Sequence, residues 1–214
     1  MHKTLRHKAY KKIKGRILSL EWKPGESLSD YQISKELGIG RTPVREALLM
    51  LEHERLIQCK GKLGFLVKKL SRKDAEDYLA IRLALETFAV PSIIEGATTP
   101  ILTKLEECIE NSINALRQND LRRLAKYNTA FHENLYKATR SNSFIETISG
   151  LLDRLHWLRA IALSASRSSL EPVEDHKQIF QALLNKDPAA LENALRLHLE
   201  HARDKCVEML DIIF

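Results

Sequence analysis

The chain has 214 residues, of which 44% are hydrophobic and 29% charged, ordinary proportions for a globular protein that buries one large core or two small ones. Eight glycines and six prolines are too few for a collagen, a linker-rich chain or a β-barrel with many tight turns. The three cysteines (Cys59, Cys108, Cys206) are dispersed and odd in number, which argues against a disulfide framework and a thiolate zinc knuckle and fits a reducing cytoplasm. No apolar run approaches the roughly 18 residues of a membrane span, and no apolar segment follows the basic N-terminus as in a signal peptide. The expectation is a cytoplasmic protein without a membrane partner.

The charge is unevenly placed. Residues 1–70 carry 16 Lys and Arg against 7 Asp and Glu, a net of +9; residues 71–214 carry 18 against 21, a net of −3. A compact basic segment beside a mildly acidic one suggests a polyanion-binding domain, 1–70, joined to a domain with another task, 71–214.

In chain order, Tyr10, Ile13, Ile17 and Leu20 recur at helical spacing and predict a helix from about Leu5 to Leu20, with Pro24-Gly25 as a stop. A second helix follows Ser29 or Asp30 and ends at Leu37, with Gly38 placed as its terminating residue. After the short turn Gly38-Ile39-Gly40, Thr42 is the expected N-cap of a third helix, with Pro43 at its first position. Leu56-Ile57-Gln58 and Phe65-Leu66-Val67 then read as a hairpin whose tip, Lys60 to Gly64, is basic and Gly-containing.

Helix, helix, turn, helix and basic hairpin is the order of a winged helix-turn-helix. Arg41 and Arg45 stand four apart at the N-terminal end of the third helix, the end that enters the major groove in such folds. Arginine reads guanine O6 and N7 with two hydrogen bonds, and the Thr42 hydroxyl suits phosphate. Lys60 and Lys62 supply unselective charge at the hairpin tip. Taken singly, each of these is an ordinary solvated residue. Together with the +9 segment they point to double-stranded DNA.

The runs Pro24-Gly25-Glu26-Ser27-Leu28, Gln32 to Gly38 and Arg41-Thr42-Pro43-Val44-Arg45-Glu46-Ala47-Leu48, with Leu51-Glu52 and Gly64, resemble the N-terminal domain of GntR-family bacterial transcription regulators. The resemblance covers about residues 5 to 69. It implies DNA contacts from Arg41, Thr42, Arg45 and the wing-tip Gly64. Gly40 stands where the family usually has Ser or Thr, and Tyr31 where some relatives have a basic residue.

Residues 71–214 show no strand-like alternation. Helices are predicted from Asp74 to about Glu95 with Pro91 as a kink or stop, from Thr98-Thr99-Pro100 to Arg117, from Asn119-Asp120 to near Thr139, from Ser141 to about Ser166, from Pro172 to Leu184, and from Asp187-Pro188 toward Leu210. Tyr78, Leu79, Leu83, Leu85, Glu86 and Phe88 mark the first of these as amphipathic. The fold class is therefore mainly α: a winged helix-turn-helix followed by an all-α six-helix bundle.

Five of eight histidines fall in the second domain: His132, His156, His176, His198 and His201. Asn128 and His132 share a helix face, and facing helices of a bundle can aim such side chains at one interior point. Three imidazoles and an amide oxygen suit Zn²⁺, Ni²⁺ or Co²⁺. Each histidine alone reads as an ordinary core or surface residue, and His156 beside Trp157 as packing or surface. As a set, Asn128-x-x-Phe131-His132-x-x-Leu135, Asp175-His176-x-x-Ile179-x-x-Ala182-Leu183 and Asp187, Ala190, Ala194, His198 are similar to the FCD effector domain of the FadR subfamily, in its shorter VanR-like form. The resemblance implies a divalent metal held by Asn128, His132, His176 and His198, with Asn128 where Asp is the commoner ligand. His201, one turn on, is a candidate pocket or supporting residue.

Arg82 matches an arginine that the resemblance places in the effector cavity, where a guanidinium can hold a carboxylate. It reads equally as half of an intrahelical Arg82–Glu86 pair. All four candidate ligands are neutral, so a divalent ion among them would keep its full charge and call for an anionic effector such as a small carboxylic acid.

The function that emerges is a ligand-responsive transcription regulator, expected as a homodimer on a near-palindromic operator because one recognition helix reads few base pairs. Two other functions compete with it: a constitutive dimeric DNA-binding protein with an empty helical domain, and a metal-dependent hydrolase. Against the hydrolase, Tyr136 occupies the second histidine position of H-E-x-x-H after His132-Glu133, and neither a Gly-rich phosphate loop nor Gly-x-Ser-x-Gly is present. No enzyme activity is expected.

Overall fold

The computed structural model describes residues 4–165 and 171–213. It divides into two compact units, Met1–Ser71 and Arg72–Phe214.

In the first unit, α1 (Leu5–Leu18) starts where the Thr4 hydroxyl accepts the His7 N–H. Ala9, Ile13 and Ile17, spaced four apart, are buried against α3. The helix ends at Leu18 rather than Leu20, because Leu20 takes a left-handed backbone with φ 59°. Helix α2 (Asp30–Leu37) is capped by Ser29, whose side chain accepts from Gln32 N–H, and closed by Gly38 at φ 62°. Glycine adopts that conformation without the Cβ penalty.

Helix α3 (Arg41–His53) turns Val44, Ala47, Leu48 and Leu51 inward, all without solvent exposure. Each fully buried Val or Leu of this kind contributes about 1.5–3 kcal/mol by removal from water. The cap is Gly40, with no side-chain bond to the helix, and not Thr42 as the sequence suggested. Pro43 thus sits third in the helix. It fits there because the first four N–H groups of a helix have no intrahelical acceptor to lose.

Three short strands, β1 (Ser27–Leu28), β2 (Ile57–Cys59) and β3 (Phe65–Val67), form an antiparallel sheet in the order β1-β3-β2. Phe65 lies opposite both Leu28 and Cys59. A single 3-10 turn, Gly61–Leu63, makes the wing tip. Gly64 leaves it at φ 87°, and a Cβ there would come within 2.8 Å of the Leu28 carbonyl oxygen. The approach of β1 to β3 therefore requires glycine at 64.

The second unit is helical: α4 (Arg72–Gly96), α5 (Thr99–Arg117), α6 (Leu121–Lys137), α7 (Asn142–Ala165), α8 (Glu171–Leu184) and α9 (Pro188–Ile213). Helix α4 packs on α9, α5 on α6, and α8 on α9. Trp157, Tyr136, Phe131, Ile93 and Leu105 fill the interior. Gly96 ends α4 directly against the Ala138 carbonyl, with no room for a side chain.

Two expectations for α4 are corrected. Of the kink or stop expected at Pro91, the stop does not occur: the proline lies inside the helix. The missing N–H forfeits one backbone bond, and burial of Ala89, Val90 and Ile93 around it keeps the helix going. Phe88, expected on the apolar side, is 83% exposed, and Ile81 is exposed too, while Arg82 and Glu86 face the interior. The side chains of Lys62 and His156, and Ser166 at the expected end of α7, lie outside the described residues.

Candidate functional site

Three helices bring three imidazoles together. His132 comes from α6, His176 from α8 and His198 from α9, and all are buried. His132 Nε2 lies 3.2 Å from Nε2 of His176 and 3.2 Å from Nε2 of His198. One ring nitrogen of each falls within 4.8 Å of the others. Nitrogens bound tetrahedrally to one Zn²⁺ at 2.0–2.1 Å stand about 3.3 Å apart, so this spacing fits a shared ion.

The rings are held from outside. His176 stacks on Phe131, centroids 4.0 Å apart and nearly parallel. His198 Nδ1–H donates to Asp175 Oδ2 at 3.2 Å, which leaves Nε2 bare and turned toward His132. Burial pushes the His198 pKa below its ordinary value against the opposing pull of Asp175, so the ring is neutral and able to ligate. Half-exposed His201 donates from Nδ1 to the same carboxylate at 3.1 Å. Burial raises the Asp175 pKa, but the hydrogen bonds from His198 and His201 outweigh it, and the carboxyl is held below its usual range.

Asn128, one turn before His132 on α6, is buried, and its Oδ1 has no hydrogen-bond partner among the described residues. A buried amide oxygen left without a partner is costly. It is the kind of group a cation or its water would satisfy.

Arg82 and Glu86 form the i,i+4 pair anticipated from sequence, but in the interior: they are 1% and 0% exposed, with Nε to Oε1 at 2.6 Å. Burial opposes the Arg82 charge, yet the Glu86 carboxylate more than restores it, and the guanidinium pKa rises. Tyr136, one turn after His132, donates its hydroxyl to the same Glu86 oxygen. Burial raises that phenol's pKa and keeps it neutral. Arg82 Nη2 also lies 2.8 Å from Nδ1 and 3.0 Å from Nε2 of His132. Glu86 Oε2 has no hydrogen-bond partner among the described residues.

The sequence pattern gathered His132, His176 and His198 and offered Glu86 as the helical partner of Arg82, but assigned no role to Asp175 or Tyr136. Asp175 adjoins His176, and Tyr136 follows His132 by one turn. Those spacings were visible, but the partners lie on other helices. The charge balance changes with them. Arg82 and Glu86 cancel, and Asp175 supplies one negative charge within the first layer around the histidines. A divalent ion would therefore meet one built-in negative charge, not the wholly neutral surroundings expected from the ligands alone.

In the first unit, Arg41, Arg45 and Gly64 line one cleft between the start of α3 and the wing tip, together with Asp30, Tyr31, Gly61 and Leu63. Arg41, Thr42 and Lys60 are exposed. Asp30 takes hydrogen bonds from both arginines at 3.0 Å, a partnership sequence reasoning missed.

A winged helix-turn-helix with two arginines at its recognition helix, joined in one chain to a helical bundle, defines a DNA-binding transcription regulator. The model for bacterial regulatory proteins of the gntR family matches residues 5–67, and that for the FCD domain matches residues 77–201. The chain belongs to the GntR family, in the FadR subfamily whose C-terminal domain is FCD; it is a transcription regulator and not an enzyme. It is 27% identical over 193 residues to the uncharacterized HTH-type transcriptional regulator YdhC of Bacillus subtilis, covering 90% of this chain and 86% of that one. It is 25% identical to the gluconate operon transcriptional repressor of the same organism, covering 92% and 83%. Among solved structures, E. coli McbR/YncC superimposes with a TM-score of 0.81 at 24% identity, over 94% of this chain and 95% of that one. No helix among the described residues is long and apolar enough to cross a membrane.

Proposed function

We propose that this regulator senses a small carboxylic acid through a divalent metal held in its helical unit by Asn128, His132, His176 and His198. The observation that carries this reading is the convergence of three buried, neutral-capable imidazoles at metal-sharing distance from three different helices. The unsatisfied Asn128 Oδ1 supports the fourth ligand. A bound Zn²⁺ or Ni²⁺ ion would act as a Lewis acid that anchors one carboxylate oxygen.

The chain's own residues set the rest. Asp175 orients His198 and cancels one unit of the ion's charge. The remaining unit calls for one anionic group, which favours an acid presenting a single carboxylate to the metal. Arg82 is the candidate for a second contact, made by exchanging its Nη2 contact with His132 for a carboxylate oxygen while Nε stays on Glu86, with His201 at the half-exposed margin. The acid acts on transcription only through unequal affinity for DNA-bound and free protein.

On DNA, Arg41, Thr42, Arg45 and Gly64 are the proposed contacts, with Lys60 and Lys62 on phosphate. The proposed active form is a homodimer on a near-palindromic site. Exposed Ile81 and Phe88 on α4 support a contact between helical units, since large apolar side chains in water gain by being covered. The test is metal analysis of protein purified without chelator, followed by DNA titrations with lactate, acetate and succinate. Bound metal and an acid-dependent shift in DNA affinity are expected. Full response of a metal-free His176→Ala/His198→Ala protein would remove the metal from sensing.

A further inference from the structure

Asp30 is the first residue of α2, yet capping of that helix falls to Ser29, and the aspartate turns to α3 instead. One carboxylate oxygen accepts from Nε and Nη2 of Arg41, both at 3.0 Å. The other accepts from Nη1 of Arg45 at 3.0 Å. The aspartate side chain is only 9% exposed, while those of Arg41 and Arg45 are 63% and 50% exposed. Burial raises the carboxyl pKa, but the hydrogen bonds from Arg45 and Arg41 outweigh it and hold it below its usual range.

A negative charge beneath the two arginines of a DNA-binding face weakens phosphate attraction, which is the main source of unselective affinity. It also leaves work for the arginines. A guanidinium has five N–H donors. Arg41 keeps both Nη1 hydrogens and one on Nη2, a parallel pair at the tip. Arg45 keeps Nε–H and both Nη2 hydrogens, a parallel pair along the side. Either pair is what guanine O6 and N7 require. Free arginine side chains lose rotamer freedom on binding; here Asp30 has already fixed them.

We propose that Asp30 is a specificity-determining positioning residue, which presets Arg41 and Arg45 for base reading while cancelling one of their two charges. The proposal rests on those arginines contacting DNA. Asp30 itself touches no base.

The test uses the full chain and two duplexes of equal length, one recovered from a randomised pool by selection with the wild-type protein and one of unrelated sequence. Fluorescence anisotropy is read across a salt series. Asp30→Asn should bind the unrelated duplex more tightly, with a salt slope steeper by about 0.9 per protomer. Its ratio of selected to unrelated affinity should fall about tenfold, the size of one lost base-pair preference. Asp30→Ser, smaller and also neutral, should give both changes, and Asp30→Glu should keep the wild-type slope. In an Arg41→Met/Arg45→Met background, Asp30→Asn should no longer lower the ratio of selected to unrelated affinity, whatever its charge does to the slope. Equal weakening on both duplexes with an unchanged slope, or a fall in the ratio that persists without the arginines, overturns the proposal. If Arg41→Met and Arg45→Met leave the ratio intact, the assignment of those arginines as readers fails first. If they lower it and neither Asp30 variant does, only the role of Asp30 falls.

Discussion

Replacing Arg82 by methionine isolates the energetics of the buried pair. The side chain is about as long but carries no charge or donor. In the wild type, Glu86 is 0% exposed and receives Arg82 Nε at 2.6 Å. Without the guanidinium, Tyr136 remains as a donor to Oε1, and Oε2 still has none. Removing one member of a buried ion pair typically costs about 3–5 kcal/mol, because the other charge is left uncompensated. For a protein of this size, about 1 kcal/mol moves the melting midpoint about 2–4 °C. Arg82→Met should therefore lower the melting temperature by about 6–20 °C in circular dichroism melts. The melts are run with chelator, so that bound metal adds nothing. The double variant Arg82→Met/Glu86→Gln should recover most of that loss, since the neutral amide still pairs with Tyr136. A single-variant loss under about 1 kcal/mol, the size of an exposed pair, would refute the reasoning. So would a double variant no better than the single one.

Arg45→Ala should cost about 1–3 kcal/mol on the selected duplex and relax base preference there, whereas Lys60→Ala should weaken all DNA alike and reduce the salt slope by about 0.9; gel-shift series on both duplexes separate the two. His176→Ala or His198→Ala should lower metal content and abolish the acid response while leaving basal DNA binding in place, as read by metal analysis and anisotropy. Asp175→Asn should reduce metal affinity about 10–100-fold, since the carboxylate orients and strengthens His198; competition against a chromophoric chelator measures it. Gly64→Ala should cost about 1–3 kcal/mol, because a non-glycine residue at φ 87° is strained and its Cβ meets the Leu28 carbonyl; thermal melts check it.

Periodicity made α3 legible. Val44, Ala47, Leu48 and Leu51 fall on one face, and the structure buries all four. The same logic gave α4 its length but not its inward side. Phe88 looked like core and is exposed, while Glu86 is enclosed because Arg82 and Tyr136 accompany it. Strand β1 escaped notice because two residues carry no alternation; it exists through pairing with β3. The three histidines were readable from family pattern and helix spacing. Asp175 and Asp30 were not, because their partners lie 23 and 26 residues away for Asp175 and 11 and 15 for Asp30. Local spacing reports neighbours on one helix, and these bonds join different helices.

Helix α4 runs without interruption from Arg72 past Arg82 and Glu86, and its proline comes only afterwards, at Pro91. From Arg72 to Arg82 is about 15 Å of continuous helix at 1.5 Å per residue. Packed helices respond to load as rods, and a rod has no slack to take up a small displacement. If the proposed acid moved Arg82, this helix would carry the displacement toward Arg72. Arg72 is the first residue after the DNA-binding unit ends. The proposed sensing site and the end of the first unit are two marks along one helix.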